Sequence, residues 1–115
     1  MPVTIWGDGN NTRDFFYITD LIDAIIGCAV HNLQNNRIFN VGGSEGITLN
    51  QLLAQVEAVV GKKSIIDFQP TRRFDPPQII LDTRLIQNEL GWKPQISFSE
   101  GLQKTWNWIL NTNPK

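Results

Sequence analysis

The segment from Asp20 to Asn32 constrains this chain most. Asp20 can cap a helix, and Leu21, Ile22, Ala24, Ile25, Ile26, Ala29, Val30 and Leu33 then place apolar side chains on more than one side of it. A helix that is apolar most of the way round needs cover on both sides. The rest of the chain offers few and short strands to supply that cover. The expectation is a piece of something larger. A strand that opens directly after Met1, with no loop or cap of its own, points the same way.

The remaining elements alternate at short spacing. Val3 to Trp6 reads as a strand, ended by the turn cluster Gly7-Asp8-Gly9-Asn10-Asn11. Phe15 to Ile18 reads as a second extended piece, and Arg37 to Val41 as another strand. Thr48-Leu49-Asn50-Gln51 is a capping box, in which the Thr hydroxyl accepts from the third helical amide and Gln51 reaches back. Leu49, Leu52, Leu53, Val56, Val59 and Val60 then share one face, and Gly61 can close the helix in a left-handed conformation. Ser64 to Phe68 is a strand, Pro70 to Pro77 a loop, and Ile79 to Leu81 a brief extended run. Asp82 caps a short helix through Leu90, with Gly91 as its stop. Ser97-Phe98-Ser99-Glu100 is a second capping box, opening a helix with a buried stripe of Leu102, Trp106, Ile109 and Leu110. Residues from Asn111 onward are expected to fray. The pattern gives an α/β chain with about four helices, read as a single unit over all 115 residues.

Composition excludes several classes. Ten basic and eleven acidic residues leave a net charge of −1, so no basic stripe argues for nucleic acid. The longest apolar stretch, Ala24 to Val30, is far too short to span a bilayer. The amino terminus runs straight into Val3-Thr4-Ile5-Trp6, so no secretory signal is read there. Cys28 is the single cysteine, which forbids an internal disulfide and fits a reducing cytoplasm. Within that apolar stretch it reads as a small core residue.

Catalytic constellations are missing. Tyr17 is the lone tyrosine, and four residues on stands Leu21, not the lysine that would depress a phenol's pKa. His31, the lone histidine, reads as a solvated or helix-end residue. Val41-Gly42-Gly43-Ser44-Glu45-Gly46 sits where a dinucleotide-binding turn would, but Ser44 and Ile47 stand where that turn needs glycine. It reads as an ordinary strand-to-helix connection.

Two arginine sites are the positive signal. Arg13 follows the glycine-rich turn. Arg72 and Arg73 lie in the proline-bounded loop, with Asp75 close behind. Guanidinium groups present forked donors that match phosphate oxygens two at a time, so two of them from different loops could grip a diphosphate. Phe15 could offer a flat apolar surface to a base or ribose, and Asp75 could accept from a sugar hydroxyl. The competing reading is that these arginines form surface pairs of little energetic worth with Asp8, Asp14 or Asp75.

At these residues the sequence resembles a known family. Ile5-Trp6-Gly7-Asp8-Gly9 through Arg13-Asp14-Phe15-Phe16-Tyr17-Ile18-Thr19-Asp20-Leu21 looks like the G-D-G-x-x-x-R-D-[FY]-x-x-[VI]-x-D-[LV] segment of NAD-dependent nucleotide-sugar epimerases and dehydratases, which are extended short-chain dehydrogenases. Phe39-Asn40-Val41-Gly42, then Arg72-Arg73-Phe74-Asp75 with Leu81-Asp82, then Leu90-Gly91-Trp92-Lys93-Pro94 with Glu100-Gly101-Leu102 match further segments in order. The resemblance implies that this is the carboxy-terminal, substrate-binding part of a Rossmann-type enzyme. It implies contacts from Arg13 to the diphosphate of a nucleotide-diphosphate sugar, from Phe15 near the nucleoside, and from Arg72 and Asp75 to phosphate and ribose. Arg73 falls at a variable position.

The resemblance also implies what lies elsewhere. The family's glycine fingerprint for NAD and its Tyr-x-x-x-Lys belong to an amino-terminal cofactor domain upstream of these segments. Chain like residues 20–41 packs on that domain. The expectation is a nucleotide-sugar-binding portion that neither binds NAD nor turns over alone, and that exposes apolar surface around Leu21 to Val30 unless it forms a homo-oligomer. Residue types alone leave two other readings open: a freestanding module that binds a nucleotide diphosphate, and an interaction domain without catalysis.

Overall fold

The computed structural model describes residues 2–31 and 38–112. In chain order the elements are β1 (Val3–Trp6), β2 (Thr12–Asp14), α1 (Ile18–Val30), β3 (Gly46–Thr48), α2 (Leu49–Val60), β4 (Ile66–Gln69), α3 (Arg84–Leu90) and α4 (Phe98–Thr112). β1 pairs in parallel with β4, with Val3 opposite Ile66 and Trp6 opposite Gln69. β2 pairs antiparallel with β3, placing Arg13 opposite Ile47. The parallel pair is joined through α2, the connection a parallel pair requires.

Four helix termini follow the sequence closely. Thr48 accepts from the Gln51 amide at 3.1 Å, and the Gln51 side chain accepts from the Thr48 amide at 2.9 Å, so the capping box is complete. Gly61 and Gly91 end α2 and α3 in left-handed backbone, at φ 72° and 66°. Ser97 accepts from the Glu100 amide at 3.3 Å to open α4. Beyond α2, Lys63 donates to Glu57 and so does the Ser64 amide, both at 2.7 Å. These two bonds, Lys63's first, hold the Glu57 carboxyl below its ordinary range.

Several expectations are corrected. The extended piece falls on Thr12–Asp14 rather than on Phe15 to Ile18, and β3 emerges where only a glycine-rich connection was read. The two short strands exist because each supplies the other's ladder. Residues 38–41 form no strand. Among the described residues they pair with neither two-stranded sheet, and extended backbone without a ladder partner is not a strand. Arg37, Asn32 and Leu33 lie outside the described residues.

α1 starts at Ile18, and Asp20 is not its cap. It is a buried helical residue whose carboxylate accepts from the amides of Gln95 and Ile96, both at 3.1 Å. Asp82 stands one residue before Thr83, the cap position of α3, yet its carboxylate accepts the first-turn amide of Arg84 at 3.0 Å, so it does take up a helix-start donor. Along α4, Leu102 and Trp106 are half-buried, but Ile109 and Leu110 are 37% and 51% exposed. That stripe continues past the surface that could cover it. The helix also holds through Asn111 and Thr112, whose hydroxyl donates to the Trp108 carbonyl at 2.8 Å, and the rest of the segment expected to fray, 113–115, lies outside the described residues. Cys28 is half-buried rather than in the core. His31 caps α1, its amide and Nδ1 both meeting the Gly27 carbonyl.

The core is small. Among the described residues the buried apolar side chains are Ile5, Ala24, Ile47 and Ile86. Around Ala24, the α1 residues Ile18, Ile22, Ile25, Ile26 and Val30 are 46% to 72% exposed. The accessible surface is 8397 Å2. A compact monomer of this mass would expose about 6,400 Å2. The Cα radius of gyration is 17.0 Å, against about 13 Å for a compact domain of this length. Among the described residues no helix is long and apolar enough to cross a membrane.

Candidate functional site

The glycine turn after β1 is built against the start of α2. Gly7 and Gly9 take φ 91° and 77°. A Cβ on Gly9 would collide with the Asn50 side-chain amide, so glycine is required there on two counts. Asn50 answers that close approach: its amide donates to the Gly9 carbonyl at 3.0 Å and its side chain to the Asp8 carbonyl at 3.0 Å. Leu49 donates to the Asn11 carbonyl at 3.2 Å. The first amides of α2, normally orphaned, are therefore taken up by the turn and by Thr48. Asp8 accepts from the Asn10 amide and from its side chain, which lowers its pKa, the amide bond first.

This turn delivers β2, and β2 delivers Arg13. Its Nη1 donates to the Thr12 carbonyl at 2.8 Å and to the Pro76 carbonyl at 3.0 Å. Two of the five guanidinium donors are thereby used, both on one nitrogen. The loop that supplies Pro76 is fastened at each end. At its start the Gly7 amide donates to the Gln69 carbonyl at 2.9 Å, and at its finish Thr12 and Pro77, then Ile79 and Thr12, exchange backbone bonds at 2.8 and 3.0 Å. Inside it the Asp75 amide donates to the Arg72 carbonyl at 3.2 Å, a local turn. Arg72 holds its guanidinium carbon 3.9 Å from the centre of the Trp6 ring. Asp75 is half-buried, whereas Arg73 and Phe74 are exposed.

The structure thus brings Arg13, Arg72 and Asp75 to one loop: Arg72 near its β1 end, Arg13 against its β2 end, Asp75 between. Phe15 goes elsewhere. Its ring packs on Phe98 with centroids 5.9 Å apart, and it lines a cleft of about 270 Å3 with Phe16, Gly43, Glu45 and residues 94–98. The residues lining that cleft include neither Arg13, Arg72 nor Asp75.

Two carboxylates that the sequence suggested as an arginine's surface partner, Asp14, and as a helix cap, Asp20, instead hold the frame. Asp14 accepts from the Gly43 amide at 2.6 Å and from the Leu81 amide at 3.1 Å, pinning two loops to β2. Asp20 does the same for residues 95 and 96, and its own carbonyl takes the Trp92 indole N–H at 2.9 Å. The available signal was an acid embedded among apolar residues, since a buried carboxylate demands donors. No pair of arginine with Asp8, Asp14 or Asp75 is found among the described residues.

The chemistry of the remaining groups is limited. Tyr17 has Lys104 over its ring at 5.7 Å, but Lys104 is ion-paired with Glu100 at 2.9 Å, a hydrogen bond that raises its pKa. Among the described residues no three His, Cys, Asp or Glu side chains cluster to hold a metal. The connection at Gly42 to Gly46 does not fit NAD. Its Gly43 amide is spent on Asp14, and Ser44, at φ 63°, turns its hydroxyl to Thr83 at 2.7 Å. A strand, β3, also stands between this connection and α2.

A mixed α/β chain with these elements is the architecture of the carboxy-terminal part of extended short-chain dehydrogenases of the epimerase and dehydratase type. The chain belongs to the GDP-mannose 4,6 dehydratase family, whose pattern it matches over residues 1–105. It is 36% identical over 104 residues to dTDP-4-dehydro-6-deoxyglucose reductase of Escherichia coli, covering 90% of this chain and 33% of the relative. It is 34% identical over 108 residues to UDP-glucuronate 4-epimerase of Thermodesulfobacterium geofontis, covering 93% and 33%. Among solved structures, UDP-glucose 4-epimerase of Thermotoga maritima, with UDP-glucose, superposes at a TM-score of 0.88 and 32% identity, over 96% of this chain and 35% of that one. UDP-glucuronic acid 4-epimerase of Bacillus cereus, in complex with UDP-glucuronic acid and NAD, superposes at 0.88 and 28%, over 97% and 36%. The chain spans about a third of the length of the curated relatives it matches.

Proposed function

We propose that this chain is the nucleotide-sugar-binding portion of an NAD-dependent sugar-nucleotide epimerase or dehydratase. Its binding residues are Arg13, Arg72, Asp75 and Phe15. The observation that carries the reading is the bond from Arg13 to the Pro76 carbonyl, which ties one guanidinium to the loop bearing the other. The remaining Arg13 donors, on Nε and Nη2, form the side-on fork that suits a phosphate. Arg72 adds a second cation from the same loop, and Asp75 an acceptor for a ribose hydroxyl. Phe15 lies apart, facing its own cleft, and serves the nucleoside end of the ligand or the wall behind it. Relatives that carry UDP-glucose or UDP-glucuronic acid in their solved structures support a nucleotide diphosphate as the ligand.

The reacting groups and NAD belong to a cofactor domain that this chain does not contain, so the chain is inactive and NAD-free alone. Residues 20–41 are the part that packs on it. The surplus of about 2,000 Å2 over a compact monomer's surface, and the exposed isoleucines of α1, support this assignment. A surface of that size is what a substantial interface covers. The lone Cys28 fits a cytoplasmic location.

Calorimetric titration with UDP tests the site. Binding should be weak, because part of the ligand's wall is absent and immobilising the ligand has its own entropic cost. Arg13→Ala and Arg72→Ala should each lower affinity about tenfold or more. Unchanged binding in either variant sinks the clamp.

A further inference from the structure

We infer that Trp6 is a positioning residue for Arg72: the indole face holds the guanidinium in place before the ligand arrives. The inference rests on the diphosphate reading and extends it. Trp6 is the last residue of β1, and its backbone is set by pairing with Gln69 and by the Gly7 bond to the same residue at 2.9 Å. The ring is therefore anchored to a sheet. Arg72 is not: it is an exposed side chain in a proline-bounded loop, with the rotamer freedom of a long chain. Trp presents the strongest aromatic face for a cation, and 3.9 Å is well inside the range of that attraction. A cation held over a ring face is attracted through its spread charge and keeps its in-plane N–H donors for another partner. Trp6 is 39% exposed, so it is not a core filler whose position the packing explains. Holding Arg72 beforehand removes part of the ordering cost of binding.

The predicted signature is a dependence on the anion, on Arg72 and on ring electrostatics. UDP and inorganic pyrophosphate are titrated against the full chain by phosphorus NMR. Trp6→Leu should weaken both by the same factor, about fivefold, and Trp6→Phe by about twofold. In an Arg72→Ala background, Trp6→Leu should cost nothing further. Should it still weaken UDP there, or spare pyrophosphate, Trp6 meets the nucleoside directly and the inference is wrong. If Arg72→Ala weakens binding and Trp6→Leu does not, the clamp stands and Trp6 has no part in it. If Arg72→Ala changes nothing, the clamp falls and takes this inference with it. Fluorinated tryptophans placed at position 6 avoid any folding defect of Trp6→Leu. Affinity should fall stepwise with fluorination while the thermal midpoint stays constant, and a flat series overturns the inference.

Discussion

Arg13 Nη1 stands 3.0 Å from the carbonyl oxygen of Pro76, sixty-three residues away in the chain. This contact places a cation from a short strand against the end of the loop that carries Arg72 and Asp75, and it does so with one guanidinium nitrogen. Lysine can supply the charge but not the fork. Arg13→Lys should therefore lower UDP affinity about tenfold, and limited trypsin digestion should nick the loop at Arg72 and Arg73 faster. Equal digestion rates in the two proteins contradict the proposed tie.

Asp20 is 2% exposed and accepts two backbone amides through its two oxygens. An asparagine there keeps the shape, yet turns one acceptor into a donor facing an N–H. Asp20→Asn should cost about 2–3 kcal/mol, the value of charge-assisted bonds plus an unsatisfied amide. Urea denaturation reads this directly, and a loss below half of that amount argues against Asp20 as the anchor of residues 95 and 96.

Thr48 closes the capping box of α2. Thr48→Ala should destabilise by about 1 kcal/mol, and Thr48→Ser by much less. The neighbouring Asn50 bonds to Asp8 and Gly9 are the reason a weakened helix start should also loosen the turn before Arg13. Amide exchange at Gly9 and Asn10 would report it.

The Asp82 carboxyl is held at about 2, first by the Arg84 side chain, whose Nη2 lies 2.6 Å from it, and then by the Arg84 amide. A carboxylate with a depressed folded-state pKa contributes stability above its unfolded value. That contribution is present above about pH 4 and is lost as pH falls through about 2. Both partners are exposed, so the effect is small and shrinks in salt. A carbon-detected NMR titration of the Asp82 carboxyl should find its midpoint near 2. A midpoint at the ordinary aspartate value means the pair does not persist in solution.

The exposed isoleucines of α1 give a further expectation. Ile22, Ile25 and Ile26 are 46%, 59% and 52% exposed on a helix whose one buried apolar residue is Ala24. Replacing Ile25 and Ile26 by Glu should reduce binding of an apolar dye and raise solubility, with UDP affinity unchanged. A fall in thermal midpoint of many degrees instead would mean that this face is covered by the chain itself.

Much of the fold was legible because local chemistry decided it. The Thr48 to Gln51 box and the left-handed stops at Gly61 and Gly91 depend on neighbours within a few residues, and the strand at Val3 to Trp6 was marked by its own residues and the turn cluster after it, although its partner β4 is distant. What failed depended on distant partners. Asp20 resembles a cap by its position, and only the arrival of residues 95 and 96 makes it an internal anchor. Residues 38–41 have strand-like side chains, but among the described residues no strand pairs with them. The pairing of Thr12–Asp14 with Gly46–Thr48 is three residues long on each side, too short for periodicity to reveal. At the candidate site the arginines were visible as residue types, while the Trp6 face under Arg72 and the Pro76 carbonyl beside Arg13 belong to tertiary structure alone.

The central claim is that Arg13 and Arg72 act on one ligand. Nitrogen-15 NMR of the arginine side chains during a UDP titration tests it most directly. The side-chain resonances of both residues should move along a single saturation curve, with Arg73 still, and uridine without phosphate should move neither. Shifts at Arg13 alone, or two curves with different midpoints, would contradict a shared diphosphate.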